Sequence, residues 1–166
     1  MRPLLSVTFL FFIISCAEPQ PSQPLDLAQL KTEIIQASIA FQTAYVNNDY
    51  QKAKAYISKN MPSTIFNSNG TPLVVQTEEQ ITNSGLGWSF AKFDMSNHQV
   101  FIAPDTKSIA IAFETEGVVR FDESGEEVPY STRASQFWVA TNMGWKILHS
   151  SWAPRKGKIG IPERTE

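Results

Sequence analysis

The hydrophobic period of this chain changes once, and that change restricts what the chain can fold into. Between Asp26 and Tyr45 the apolar residues Leu27, Leu30, Ile34, Phe41 and Tyr45 recur at three- and four-residue steps or their sums. Such spacing places them on one face of a helix, with Asp26 positioned as its N-cap. A second, shorter helix is expected from Asn48 or Asp49 through Tyr50, Ala53, Tyr56 and Ile57, ended by Pro62. Thr64-Ile65-Phe66 and Leu73-Val74-Val75 flank Asn69-Gly70, the pattern of two strands around a turn. Thr77-Glu78-Glu79-Gln80 has the form of a capping box opening a third short helix.

Beyond that point the pattern is strand-like. Strands are expected over about residues 98–103, 108–121, 128–140 and 145–152, separated by Pro104-Asp105, Asp122-Glu123-Ser124-Gly125 and Asn142-Met143-Gly144. In the second of these, Ile109, Ile111 and Phe113 alternate with Ala110, Ala112 and Glu114, so one face is bulky and the other small. Helices followed by a run of antiparallel strands specify an α+β domain, with helices on one face of a curved sheet. Apolar residues occupy both faces of the strands, so the second face must meet helices, a ligand or another subunit.

The first sixteen residues belong to a different problem. Arg2 supplies a positive start, residues 3–14 carry no charge and are dominated by Leu, Phe, Ile and Val, and Ser15 is a small residue before Cys16. This is the layout of a secretory signal peptide, and the uncharged run is shorter than the roughly 20 residues a membrane span requires. Ile13-Ile14-Ser15-Cys16 resembles the bacterial lipobox, which implies cleavage before Cys16, diacylglycerol on its sulfur and acylation of the new amino terminus in many bacteria. Several acyl chains, at about 0.8 kcal/mol per buried methylene, hold a protein on a membrane far better than one. Ala17 after the cysteine resembles the pattern of outer-membrane sorting in some Gram-negative bacteria. The expected location is therefore the bacterial cell envelope, with the membrane as a partner through Cys16.

Four parts follow: a signal peptide over residues 1–15, the lipidated cysteine with a proline-rich tether over 16–24, one folded domain over 25–153, and a tail over 154–166. The tether has almost no apolar residues and cannot bury enough surface to fold. Cys16 is the sole cysteine, which excludes an intramolecular disulfide. A net charge of −2 gives no reason to expect nucleic acid, and the basic residues Arg155, Lys156 and Lys158 read as a solvated tail.

The order of elements, the segment Phe66-Asn67-Ser68-Asn69-Gly70-Thr71-Pro72, and above all Ser135-Gln136-Phe137-Trp138 followed by Gly144-Trp145-Lys146-Ile147-Leu148-His149-Ser150-Ser151 carry a family resemblance. Together they resemble the SnoaL-like branch of the nuclear transport factor 2-like superfamily. The resemblance implies a cone in which a strongly bent antiparallel sheet wraps the N-terminal helices, with a pocket at the open end. It also implies a homodimer through the outer sheet face. Members include isomerases, cyclases, dehydratases and domains without chemistry, so the resemblance speaks to fold more than to function.

Within such a pocket the candidate ligand-binding residues are His149, Trp145, Arg133 and Tyr45. Regular alternation puts His149 on the face of Trp145, Ile147 and Ser151, where it serves either as an acid or base or as a hydrogen-bonded core residue. Arg133 either meets an anionic ligand or pairs with Glu114 or Glu116 across the sheet. Asp94, His98 and Asp105 are further candidates, because acid-base enzymes of this fold need a carboxylate in the pocket. Tyr45, Tyr56 and Tyr130 can donate to an oxyanion or sit in the core. No phosphate-cradling glycine loop is present, and His98 and His149 without a cysteine cluster make a poor metal site, so no cofactor is expected. Two readings follow. One is a non-catalytic module binding a small hydrophobic or anionic molecule or a protein partner; the other is a lyase or isomerase using His149 with an aspartate.

Overall fold

The computed structural model describes residues 26–58, 63–67, 74–77 and 87–161. The signal peptide, Cys16, the tether, the turn at Asn69-Gly70 and most of the expected third helix lie outside them. Two helices come first, α1 (Leu27–Val46) and α2 (Tyr50–Lys54), then six strands: β1 (Ser63–Asn67), β2 (Val74–Gln76), β3 (Trp88–Ile102), β4 (Ser108–Phe121), β5 (Glu127–Thr141) and β6 (Gly144–Pro154). No described helix is long and apolar enough to cross a membrane.

Asp26 caps α1 as its sequence position suggests, its carboxylate accepting from the amides of Ala28 and Gln29. Such a cap contributes about 1 kcal/mol. The helix stops at Asn47 and Asn48, the latter at φ 57°, a left-handed conformation that asparagine adopts more readily than other side chains. Asp49 then caps α2. The buried stripe of α1 is Leu30, Ile34, Ser38, Phe41, Gln42 and Ala44, while Leu27 is half exposed. Two polar residues, Ser38 and Gln42, therefore interrupt the apolar face.

The strand order is β2-β1-β6-β5-β4-β3, antiparallel except for β1 beside β6. The α+β expectation holds: a curved sheet wraps the N-terminal helices. Strand β3 begins ten residues before the expected start, because shifts of register between Phe90 and Lys92 and between Ser96 and Gln99 break the alternation by which a strand is recognised. At the first shift β3 crosses very close to β4. A Cβ on Gly117 would lie 2.6 Å from the carbonyl carbon of Lys92 and closer still to its oxygen, so only glycine permits this approach.

The concave face holds the main core. Ile109, Ile111 and Phe113 of β4, Ala134 and Trp138 of β5 and Ile147 of β6 pack against Leu30, Ile34, Phe41 and Ala44 of α1 and Ala53 and Ile57 beyond it. Each large side chain so buried is worth about 1.5–3 kcal/mol. A second cluster, Trp88, Val119 and Tyr130 with Phe90, Phe93, Phe121 and Val128, fills the far end of the same face, and Ile161 packs on it. The tail does not simply run into solvent. Arg155 N donates to Ser131 O, Ser131 N donates to Ile159 O, and the Arg155 guanidinium lies 3.5 Å from Glu114.

Candidate functional site

Cross-strand register sorts the candidate residues by face, because residues directly opposite one another point the same way. On the concave side successive rows are Ile102-Ile109-Trp138-Ile147, then Val100-Ile111-Gln136-Ser150, then Phe113-Ala134-Trp152, then Met95-Thr115-Thr132-Pro154. On the convex side they are Phe101-Ala110-Phe137-His149, Gln99-Ala112-Ser135-Ser151 and Ser96-Glu114-Arg133-Ala153.

His149 is thus on the convex face, and the shared face expected for His149, Trp145 and Ile147 is not found. Phe137 faces His149 while Trp138 faces Ile147, so Leu148 is an extra residue in β6. One bulge of this kind reverses the parity of a strand. Trp145 and Ile147 pack against the main core, and His149 stands across from half-exposed Phe137 on the other side. Arg133 is also convex and exposed, directly opposite Glu114. Glu114 Oε2, however, accepts from Asn97 Nδ2 at 2.7 Å and lies 3.5 Å from Arg155. Arg155, not Arg133, is the cation that reaches Glu114 and Glu116.

Tyr45 sits near the end of α1, its ring 6.3 Å from Phe41 and 6.2 Å from Tyr50. Tyr56 packs edge-on to Phe41 and Trp138 as part of the core. The two candidate aspartates are elsewhere. Asp94 is on the convex side opposite Glu116 and forms an exposed ion pair with Lys92 at 2.8 Å. Asp105 closes its turn by accepting from the amides of Lys107 and Ser108. Among the described residues, the buried polar side chains include no Asp or Glu, and no three potential metal ligands gather.

What the concave face does carry is a set of neutral polar groups. Gln136, 1 % exposed, accepts through Oε1 from Ser38 Oγ at 2.7 Å and from Trp138 Nε1 at 3.0 Å. Its Nε2 has no partner. Ser150, beside Gln136 in register, accepts from Trp152 Nε1 at 3.4 Å. One row on, His98 stacks on Phe113 at 5.8 Å, and Trp152 meets Phe113 edge-on at 5.7 Å. His98 Nε2 and Tyr130 Oη are likewise buried without partners. Leaving such a group bare costs about 1–3 kcal/mol, which is why native interiors contain few.

Burial sets the charge state of these groups. Desolvation pulls His98 below the ordinary histidine value, so it is neutral at pH 7. Desolvation likewise pushes the Tyr130 phenol well above the ordinary tyrosine range; Thr115, which would oppose this, shares its hydroxyl with Thr132 at 2.6 Å. Both are uncharged hydrogen-bonding groups. Gln136, Ser38 and Ser150 are not among the candidate site residues expected from the sequence, although Gln136 and Ser150 lie in the segments that carry the resemblance. A glutamine alternating with Ala134 and Trp138 on an apolar strand is the signal that could have found the first of them.

No family model matches this chain, and no curated protein does. Solved structures do. A nuclear transport factor 2-like superfamily protein from Salmonella enterica serovar Typhimurium aligns at TM-score 0.66 and 17 % identity over 82 % of this chain and 99 % of its own. A ketosteroid isomerase-like protein from Erwinia carotovora aligns at 0.62 and 16 % over 73 % and 92 %. The association domain of CaMKII from C. elegans aligns at 0.57 and 17 % over 75 % and 95 %. Identities this low establish a shared architecture alone, and that architecture, a curved sheet closed around N-terminal helices, is the nuclear transport factor 2-like fold.

Proposed function

We propose that this chain is a lipid-anchored domain of the bacterial cell envelope that binds a small molecule on the concave face of its cone without converting it. The observation that carries this reading is the concave face itself: buried, unpartnered, neutral polar groups on an apolar floor, with no buried carboxylate among the described residues. That is the composition of a binding site, where a few polar groups orient a mainly apolar ligand. Acid-base catalysis by a lyase or isomerase has less support. It calls for a base within reach of a substrate atom, paired in this fold with a carboxylate, whereas His149 faces outward, Asp94 and Asp105 are engaged on the surface, and His98, the neutral imidazole on the concave face, has no buried carboxylate beside it among the described residues.

The finer placement in the SnoaL-like branch rests on the segments 135–138 and 144–151. The convex face offers a second copy of the chain a row of small and aromatic residues, with Phe101 61 % and Phe137 39 % exposed around Ala110. The membrane tether rests on Ile13-Ile14-Ser15-Cys16.

Two measurements test the proposal. Protein purified from membranes should release a small molecule on denaturation, identified by mass spectrometry, and Cys16→Ser should abolish fatty-acid labelling and free the domain from membranes. Equal labelling of parent and variant would sink the anchor. Recovery of chemically altered product after incubation with the extracted ligand would replace binding by catalysis.

A further inference from the structure

Between Ser96 and Gln99 strand β3 carries two residues, Asn97 and His98, where β4 carries only Phe113. A bulge of this kind leaves its residues outside the ladder. Asn97 and His98 turn to opposite faces of the sheet. On the convex side Asn97, at φ 55°, donates from Nδ2 to Glu114 Oε2 at 2.7 Å. Glu114 also lies 3.5 Å from Arg155, whose amide ties the returning tail to the Ser131 carbonyl. On the concave side the His98 ring stacks on Phe113 at 5.8 Å, with Nε2 buried and unpartnered. One bulge therefore combines a left-handed backbone that non-glycine residues seldom adopt, a bond on one face and an unsatisfied ring on the other.

An imidazolium carries an N–H on both nitrogens, so protonation sets a charged donor at buried Nε2 with nothing to accept it. No neighbouring charge offsets that cost, and burial alone pulls His98 below its ordinary value. Glu114, Glu116 and Arg133 belong to the convex rows of β4 and β5, and His149 to that of β6. Lys92 and Asp94 pair with each other on the surface of β3, Arg155 of the tail lies beside Glu114, and Lys31 and Glu33 of α1 are exposed. A strand side chain stands roughly perpendicular to its sheet, so ring rotation alone keeps the imidazole over the concave floor. Reaching water requires the backbone of the bulge to turn. We propose that the Asn97-His98 bulge is an acid-sensitive switch: a proton on His98 turns the bulge, carrying the imidazole off Phe113 into water and Asn97 off Glu114. One proton is then read on both faces of the sheet. Below 6.5, each pH unit down to the lowered value of the packed ring favours the turned state by up to about tenfold. The switch does not depend on the concave face holding a ligand.

The test is an NMR titration of the full-length chain, isotope-labelled and held in detergent, between about pH 7.5 and about pH 5. The His98 ring signals should titrate with a midpoint below 6.5, and the Asn97 side-chain amide signals should move with that same midpoint. His98→Gln removes the titrating group while keeping the carboxylates and His149, and should leave the Asn97 amide signals nearly still over this range. Asn97→Ala loses the bond to Glu114 and makes the left-handed backbone harder to hold. Both changes weaken the packed bulge, so this variant should raise the His98 midpoint toward 6.5, a shift that a histidine uncoupled from Asn97 would not show. Asn97 signals that stay put through the His98 midpoint, or that move as far in His98→Gln as in the parent, would overturn the switch. So would a His98 midpoint at or above 6.5 in the parent, or one unchanged by Asn97→Ala.

Discussion

Gly117 tests the account of how the sheet bends. Its φ is not in the left-handed region, so nothing in the local backbone forbids a side chain, and alanine in a strand interior would ordinarily gain about 0.5–1 kcal/mol over glycine. The obstacle is tertiary. A methyl group there would meet the Lys92 carbonyl carbon at 2.6 Å and the Tyr130 ring at 3.1 Å, against an ordinary carbon–carbon separation of about 3.5–4 Å. Relief requires β3 and β4 to part by roughly 1 Å where Phe93 faces Gly117, stretching the ladder beside it. Overpacking of this size costs about 1–3 kcal/mol, and one weakened ladder bond adds about 1 kcal/mol. After the propensity gain, Gly117→Ala should destabilise by about 2–3 kcal/mol. In a domain of this size that lowers the melting temperature by roughly 6–10 °C. Urea titration followed by tryptophan fluorescence should show an earlier midpoint with unchanged slope. Gly125→Ala is the control: Gly125 has φ 70° and open space around it, so its cost of about 1–2 kcal/mol is backbone strain alone. A Gly117→Ala variant as stable as the parent, or more so, would refute the close approach of the two strands.

Two further outcomes follow from burial and from exposure. His98 titrates below its ordinary value of 6.5 because it is desolvated, so the unfolded chain binds its proton more readily than the folded one. The stability it contributes is present above about pH 6.5 and is lost as pH falls toward the lowered folded value. Melting temperature should therefore fall between about pH 7.5 and about pH 5, and His98→Asn should flatten that dependence; equal slopes in parent and variant would count against it. On the convex side, the domain from Leu25 onward should sediment as a dimer, and Phe101→Glu should shift it toward monomer. A strictly monomeric parent at high concentration would remove the dimer from the proposal.

Local physics was legible in the amino-acid order. Asp26 as a cap, the switch from helical to alternating period, and Ile109, Ile111 and Phe113 opposite Ala110 and Ala112 each depend on neighbours a few residues away. The positions of the later turns were readable for the same reason. What could not be read was anything that depends on parity carried across an irregularity. Leu148 adds one residue to β6 and sends His149 to the convex face, away from Trp145, although the spacing alone puts the two together. Shifts at Ala91 and at Asn97-His98 likewise hid the first half of β3. Long-range pairings were equally silent. That β1 lies parallel to β6, that Arg155 rather than Arg133 reaches Glu114, and that Ser38 meets Gln136 across 98 residues all depend on how distant segments dock. A polar residue in an apolar stripe reads as an interruption until the opposite wall is known. Ser38 and Gln136 become a buried hydrogen-bonded pair because α1 crosses the sheet where each supplies what the other lacks, and that crossing is a property of the packed molecule.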